Sequence, residues 1–585
     1  MHDEHLDLGA GARLVLRELR RQWHSLAAAL AAALVWSGGR IAVPLLTGIT
    51  IDKAIDVPGG ADLDLLLVLV LVIVLVSTVQ GAAAAVRRYT AFRTSYRVEA
   101  DLRKALYDRV NRLSFDYYDR TATGQLMSRG SADLHEVQQL VVMVPINAAF
   151  LLMAVGSFVA LLYYHVPLAI TAMAVYPVVT LITVRFFNRL FPATARVQQG
   201  IGDMTGVVEE NIAGARLVRS FGREQHEIER LSAVTDRIYD DQMEVARLRT
   251  LYTPLFTFLP AIGQLVVLAY GGWLVLEGQL TPGRFVAFFL YLGMLIWPVQ
   301  GLGEIVASAQ RALTSAARVW NVLSQEPTIR PRPHAHALPA GSGEIEFDAV
   351  TFGYQSGYPV LDQFTLRVPA GRALALVGPT GCGKSTVARL LPRFYDVEGG
   401  AIRIDGCDIR DVKLDDLRQS VGLVFEDTFL FSDSIANNIA YGNLDASDEQ
   451  IDEAARLAQA TEFIERLPDG YATVVGEQGF SLSGGQRQRV AIARAVLMQP
   501  RVLILDDATS SVDARTEEDI RNALRRVMEG RTTLIISHRL STIALADEVV
   551  LMDQGRVVDR GTHPELLARS ERYNQVLGQV GAAAR

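Results

Sequence analysis

"ALALVGPTGCGKST", residues 373 to 386, sets an apolar run against a glycine-rich turn that ends in lysine, serine and threonine. The apolar run reads as a buried strand and the following "TVARLLPRFY" as a helix, so the pattern is strand, GxxxxGKS loop, helix. Gly378, Gly381 and Gly383 let successive backbone N–H groups turn inward on a phosphate, with Pro379, Thr380 and Cys382 filling the variable positions. Lys384 is placed to reach the β and γ phosphates of a nucleotide, and Ser385 to offer an oxygen to Mg2+. A chance glycine-rich turn does not arrive with both flanking elements in place.

Downstream, short β-rich runs such as "VLILDD" and "TTLIIS" alternate with helical patterns at 449 to 466 and 516 to 529, which predicts an α/β domain with a largely parallel sheet from Glu344 onward. The run "RVLILDD", 501 to 507, delivers a carboxylate, Asp506, to the place where a metal would sit beside the phosphates. Upstream lies "PTIRPRPHAHALPAGSG", 327 to 343, with no helical period and much proline, which reads as a linker. Its two histidines have no cysteine or carboxylate neighbours and are read as solvated rather than metal-ligating.

The 585 residues exceed one compact core, and half of them are apolar. The long uncharged stretches all lie before about residue 310. Six can be drawn, at 25–51, 65–86, 140–164, 166–184, 251–276 and 285–306, each long enough to cross a ~30 Å hydrocarbon core at ~1.5 Å per residue. The third and fourth meet in a tight turn at His165 to Pro167. Segments 87–136 and 185–250 are arginine-rich, whereas the short links after the first and fifth spans are acidic or nearly neutral, which predicts cytosolic arginine-rich segments and cytosolic termini. The charge-mixed texture of those segments predicts helices that continue well past the bilayer into water. Arg13, Arg17, Arg20 and Arg21 precede an apolar run too long for a cleaved signal, so residues 1–22 read as a short interfacial helix before an uncleaved span. Arg40 stands alone inside the first apolar run and is the candidate for a substrate path, set against plain snorkelling to the interface. A net charge of -7 with no basic block argues against nucleic acid as a partner, and two cysteines imply no disulfide framework.

"SLSGGQRQRVAIARA", 481 to 495, resembles the signature of the ABC ATPases, and Tyr354, "ATSSVD" at 508 to 513 and "IISHR" with His538 extend the resemblance over 344–575. "SFDYYDRTATGQLMSRGSAD", 114 to 133, and "GARLVRSFGREQHE", 214 to 227, resemble the two coupling segments of ABC exporters, so the whole chain is similar to a type IV exporter half-transporter. The resemblance implies an all-α six-helix transmembrane domain at 23–325, a linker at 326–343 and an α/β phosphate-loop nucleotide domain at 344–585. It implies a bacterial plasma-membrane protein with its nucleotide domain in the cytosol. It also implies a dimer in the lipid bilayer that hydrolyses ATP with Mg2+ to move an amphipathic small molecule or a lipid.

Carried over residue by residue, Tyr354 would stack on adenine, Lys384, Ser385 and Thr386 would hold phosphates and metal, and Asp506 would bind the metal through water. His538 would contact the γ-phosphate, Leu482, Ser483, Gly484, Gly485 and Gln486 would grip the nucleotide of the partner chain, and Asp513 would couple the two sites. Two positions depart from the family pattern. Asp507 stands where the general base is usually Glu, and Glu426 where a metal-touching Gln is usual. An aspartate carboxylate sits about 1 to 1.5 Å further back, against a hydrogen-bond reach of ~2.6 to 3.2 Å, and a misplacement near 1 Å costs ~10²-fold in rate. With an intact signature, that combination resembles the degenerate-site member of a heterodimeric exporter. The alternatives are a homodimer that works slowly with Asp507 as its base, and an ATP-gated channel or inward transporter on the same fold; separately, Glu426 is a candidate to substitute for the weakened base or a tolerated variant with no mechanistic effect.

Overall fold

The computed structural model describes residues 7–57, 60–355, 357–426, 428–476, 479, 481–507 and 514–583. It divides into two units, Met1–Asn111 with Thr123–Gln325, and Arg112–Ala122 with Glu326–Arg585.

The first unit is helical throughout its described elements: α1 (Leu8–Arg21), α2 (Trp23–Ile55), α3 (Leu63–Arg112), then, after α4 (Phe115–Arg120) of the second unit, α5 (Thr123–Tyr164), α6 (Val166–Ala213), α7 (Ala215–Phe221), α8 (Glu224–Leu276), α9 (Pro282–Met294) and α10 (Ile296–Ser324). Helices α2, α3, α5, α6 and α8 are long and apolar enough to cross a membrane. The sixth expected span, 285–306, is not one helix: it breaks at Leu295, whose N–H donates to Leu292 in a tightened turn. Pro298 supplies a reason, because it has no N–H to offer the carbonyl of Met294 four residues back. At the 164–167 turn His165 caps α6, its Nδ1 accepting from Leu168 N at 3.1 Å, and Pro167 sits in the first turn where its missing N–H costs nothing.

α3 has 50 residues, hence ~75 Å of length against a ~30 Å hydrocarbon core, so more than half of it extends beyond the hydrocarbon, in keeping with the charge texture. Arg318 of α10 clasps Asp133 of α5 with two forked donors, Nε to Oδ2 at 2.9 Å and Nη2 to Oδ1. The N-terminal helix begins at Leu8, and its apolar side, Leu14, Val15 and Leu19, packs against Val98, Leu102, Val137, Val141 and Val319. Protein, rather than lipid alone, covers that face.

Where α2 crosses α9 the backbones nearly touch: a Cβ on Gly283 would fall 2.0 Å from Gly48 O. That approach brings Asp52 to the N-terminus of α9, where its Oδ1 accepts from Gly283 N at 2.7 Å, a donor the helix cannot satisfy itself, and its Oδ2 accepts from the hydroxyl of the N-cap Thr281 at 2.5 Å.

The second unit holds two sheets. β1 (Ile345–Phe352), β2 (Leu361–Val368), β4 (Gly399–Ile404) and β5 (Cys407–Asp408) form an antiparallel sheet in the order β2-β1-β4-β5. β3 (Ala373–Val377), β6 (Val421–Val424), β7 (Val502–Asp506), β8 (Thr532–Ile536), β9 (Glu548–Asp553) and β10 (Arg556–Gly561) form the second, ordered β10-β9-β3-β8-β7-β6 and parallel except for the β9–β10 hairpin. β3 and β8 are buried along their entire length, which is why they read as unbroken apolar or threonine runs rather than alternating ones. The linker carries no helix, yet His336 pairs with Val412 and its N–H donates to Asp411 O at 2.9 Å.

Replacing Gly283 with alanine forces backbone against backbone, and overpacking of this kind costs about 1–3 kcal/mol. Gly293→Ala on the same helix meets nothing within 4 Å. Thermal unfolding in detergent is expected to show Gly283→Ala clearly destabilised and Gly293→Ala unchanged or slightly stabilised.

Candidate nucleotide-binding site

The strand order decides what meets. β3, β8, β7 and β6 are consecutive and parallel, with Leu376 opposite Ile536 and Asp506 opposite the same residue on the other side. The turns leaving their carboxyl ends therefore converge: the phosphate loop after Val377, His538 after β8, Asp507 after β7 and Glu426 after β6.

In the phosphate loop, Gly383 has φ +103°, a left-handed conformation that leads into α11 (Lys384–Leu390). A Cβ on Gly378 would lie 2.3 Å from Met552 O and 2.7 Å from Cys382 Sγ, so only glycine fits beneath β9. The buried Lys384 folds over the loop, Nζ donating to Gly378 O at 2.9 Å and Pro379 O at 3.0 Å. Cys382 is 5% exposed, and burial pushes its thiol above the ordinary range, the opposite of a reactive thiolate. It serves as a small buried residue.

Ser385 Oγ donates to Asp506 Oδ1 at 3.4 Å, joining the phosphate loop to the end of β7. Burial pushes the Asp506 carboxyl up to about 6, and the charges of Asp507 and Glu426 push it the same way. Asp507 and Glu426 thus each lie within electrostatic reach of Asp506. Among the described residues no cluster of three His, Cys, Asp or Glu side chains forms a ready-made metal cage. A hydroxyl plus crowded carboxylates suits Mg2+, which keeps most of its shell as water and phosphate oxygen and would relieve the repulsion. Ser385 and Asp506 are the residues that fit it.

Asp507 has φ +43°, and its own N–H donates to Ile536 O at 2.7 Å. Its Oδ1 accepts from His538 N at 3.0 Å, and its Oδ2 lies 3.7 Å from His538 Nε2. The carboxylate at the base position is turned onto the turn after β8.

Tyr354 Oη lies 3.3 Å from Thr386 Oγ1, and the ring meets Tyr395 and Phe352 edge-on at 5.3 and 5.1 Å. Tyr395 in turn donates to Asp119 Oδ2 of α4 at 2.5 Å, while Phe115 stacks on Phe394 with centroids 4.3 Å apart. Ser114 Oγ accepts from Ile329 N at 3.1 Å. The first predicted coupling segment is thereby fastened beside Tyr354, along a cavity of about 610 Å³ lined by Asp119, Arg120, Tyr354, Arg389 and Tyr395. Arg389, Phe394 and Tyr395 escaped sequence reasoning: Arg389 lies in α11 and Phe394 and Tyr395 in the turn just after it, inside the run "TVARLLPRFY" that reads as one helix in the sequence.

The signature opens α12 (Gly484–Leu497). Ser483 is its N-cap: its Oγ accepts from Gln486 N at 3.3 Å, and Gln486 Oε1 accepts from Ser483 N at 2.8 Å. This capping box leaves the N–H groups of Gly484 and Gly485 at the mouth of a 14-residue helix, while Leu482 anchors it in the core. Asp513 lies outside the described residues.

In the membrane unit Arg40 is exposed, its Cζ 5.5 Å from the Trp36 ring. Beside the same ring a buried charge is found instead at Arg87, 3% exposed, with Cζ 4.4 Å from Trp36 and 5.9 Å from Phe150. Its place just past an apolar run made it look like a flanking arginine.

Residues 26–299 match the family described as the ABC transporter transmembrane region, and residues 361–510 the family described as ABC transporter. A multidrug efflux ATP-binding/permease protein of Mycobacterium bovis (strain BCG / Pasteur 1173P2) is 41% identical over 563 residues, 96% of this chain but 46% of that protein. This chain therefore spans about half the length of that relative. An ATP-dependent lipid A-core flippase of Syntrophus aciditrophicus (strain SB) is 38% identical over 547 residues, covering 93% of this chain and 89% of the relative. Among solved structures, a bacterial Atm1-family ABC exporter with ATP bound superposes with a TM-score of 0.80 at 29% identity, covering 96% of this chain and 99% of that one. A membrane-spanning helical unit followed by the nucleotide domain of a transport ATPase is thus found both in the geometry and in the relatives, and the chain belongs to the ABC transporter family.

Proposed function

We propose that this chain is one half of an ATP-driven exporter of an amphipathic small molecule or lipid, and that its own phosphate loop holds ATP far more than it splits it. The observation that carries this reading is Asp507: its side chain is one methylene short of glutamate, and one of its two oxygens is already engaged by His538 N at 3.0 Å. A general base needs a free lone pair within ~2.6–3.2 Å of the attacking water. A short carboxylate drawn sideways onto the next turn meets that demand poorly.

The residues that bind are otherwise complete. Lys384, Ser385 and Thr386 would hold the phosphates, Asp506 the metal through water, Tyr354 the adenine, and His538 the γ-phosphate. Mg2+, when bound, supplies the positive charge that lets phosphates lie beside Asp506 and Glu426. The capped mouth of α12 would offer its N–H groups to the nucleotide of a second chain, with Asp513 coupling the two sites. In a heterodimer that partner carries the longer acid, and the LSGGQ of this chain completes the working site. Two features favour pairing: the mycobacterial relative is about twice as long as this chain, and α7 leaves Leu217 and Phe221 63% and 72% exposed. The printed names of the relatives, multidrug efflux and lipid A-core flipping, favour an amphipathic cargo. The arginine-rich segments favour a nucleotide domain on the cytosolic side of a bacterial plasma membrane.

A slow homodimer is the second reading. It is favoured by the charge of Glu426 acting on Asp506, which puts a longer carboxylate near the reacting centre.

ATPase assays on the purified full chain separate these. Asp507→Glu is expected to raise turnover of the chain alone by up to ~10²-fold, and Asp507→Asn to change it little. Glu426→Gln leaves the rate unchanged on the first reading and abolishes it on the second. Brisk turnover of the unmodified chain, lost in Asp507→Asn, contradicts the proposal.

A further inference from the structure

Outside the nucleotide site, the described residues carry one large basic cavity. It measures about 960 Å³ and lies between the α1–α2 junction and α3, lined by Arg21, His24, Ser25, Arg93, Thr94 and Arg97 among others, with no acidic side chain in its wall. The lining positions recur at helical spacing on both sides, 21, 24, 25 and 28 against 90, 93, 94, 97 and 100, so two helix faces look at each other across it. Ser25 fixes the level of one face on the other: its Oγ accepts from Thr94 Oγ1 at 2.7 Å and donates to Thr90 O at 3.5 Å.

The floor of the cavity is where headgroups lie. The apolar run of α3 ends at Val86, and along the helix Thr90 stands about 6 Å, Arg93 about 10 Å and Arg97 about 16 Å beyond it, with helical side chains leaning back toward the N-terminus and so toward the bilayer. A headgroup layer is roughly 5–7 Å thick on each side of the hydrocarbon. Trp23, Tyr89, Phe92 and Tyr96 are exposed around the same level, as interfacial aromatics are. Two of the arginines have weak acidic neighbours: Arg97 lies 3.8 Å from Asp101, and Arg21 lies 4.0 Å from Glu18. Arg93 makes no ion pair among the described residues. The positive charge is therefore incompletely neutralised by the protein itself. Below Arg93, at steps of seven residues and so on the same face of α3, Val86 and Val79 are exposed, giving a polar head an apolar track leading into the bilayer.

We infer that this cavity binds the phosphate of one anionic glycerophospholipid from the leaflet on the arginine-rich side, with Arg93 and Arg97 as its forked donors and the Val79–Val86 stripe beneath its acyl chains. The site needs neither ATP nor a particular partner, so it stands apart from the question of which nucleotide site hydrolyses.

The test is native mass spectrometry of the full chain in detergent, titrated with phosphatidylglycerol, phosphatidylcholine or inorganic phosphate. The expected result is one phosphatidylglycerol retained per chain in preference to phosphatidylcholine. The double variant Arg93→Gln with Arg97→Gln weakens that retention about 25-fold, two arginines each contributing about fivefold at an anionic surface. Arg88→Gln, an exposed arginine on another face of α3, leaves it unchanged, and the charge-preserving pair Arg93→Lys with Arg97→Lys keeps the preference with weaker binding. Unfolding temperatures of the variants without lipid exclude a folding defect. Equal retention of the two lipids, retention unaffected by the double glutamine change, or full displacement by inorganic phosphate, which would mark a free-anion site, each overturns the inference.

Discussion

At the carboxyl end of β7 the buried Asp506 accepts from Ser385 and is pushed up to about 6, first by burial and then by the like charges of Asp507 and Glu426. Such crowding is tolerable only because the cluster faces a place where positive charge arrives with the nucleotide. Much else in the second unit serves to hold that place. The strand order β3-β8-β7-β6 delivers each carboxylate and the phosphate loop to the same edge, and the glycine-only approach at Gly378 presses the loop under β9. Tyr354, Tyr395 and Asp119 then join the loop side of the site to α4 through ring packing and one short hydrogen bond. A change in how the nucleotide is held has a physical path to α4 made of contiguous contacts.

The membrane unit depends on a different constraint, the closeness of backbones. Gly48 and Gly283 allow α2 and α9 to meet, and the meeting lets Asp52 cap α9. With lipid tails as apolar as the helices themselves, close packing and satisfied polar groups supply the association that hydrophobic burial supplies in water. Arg87 belongs to the same logic, a cation covered by Trp36 and Phe150 rather than by a carboxylate.

Most of the nucleotide site was legible because its chemistry demands residue types at fixed spacing: glycines where φ is positive, a lysine after them, an acid at the end of an apolar strand. Strand runs such as 502–506 were legible because burial on both faces leaves them unbroken. What escaped were facts of three-dimensional placement. Periodicity marked 285–306 as one span, whereas the helical ladder is interrupted at Leu295, where Pro298 has no N–H for the carbonyl of Met294. Arg40 drew attention by standing alone in an apolar run, whereas Arg87 is the buried one, which depends on what Trp36 packs against. The orientation of Asp507 onto His538 N depends on a backbone with φ +43° that no composition rule reveals.

The central claim is that this chain retains ATP in its own phosphate loop through conditions that would consume it in a site with a well-placed base. The direct measurement is the identity of the nucleotide left on the purified chain after incubation with Mg2+ and radiolabelled ATP, rapid removal of free nucleotide and acid release. The account predicts that the label comes off overwhelmingly as ATP. Recovery of mostly ADP and phosphate, from the chain alone, would contradict it.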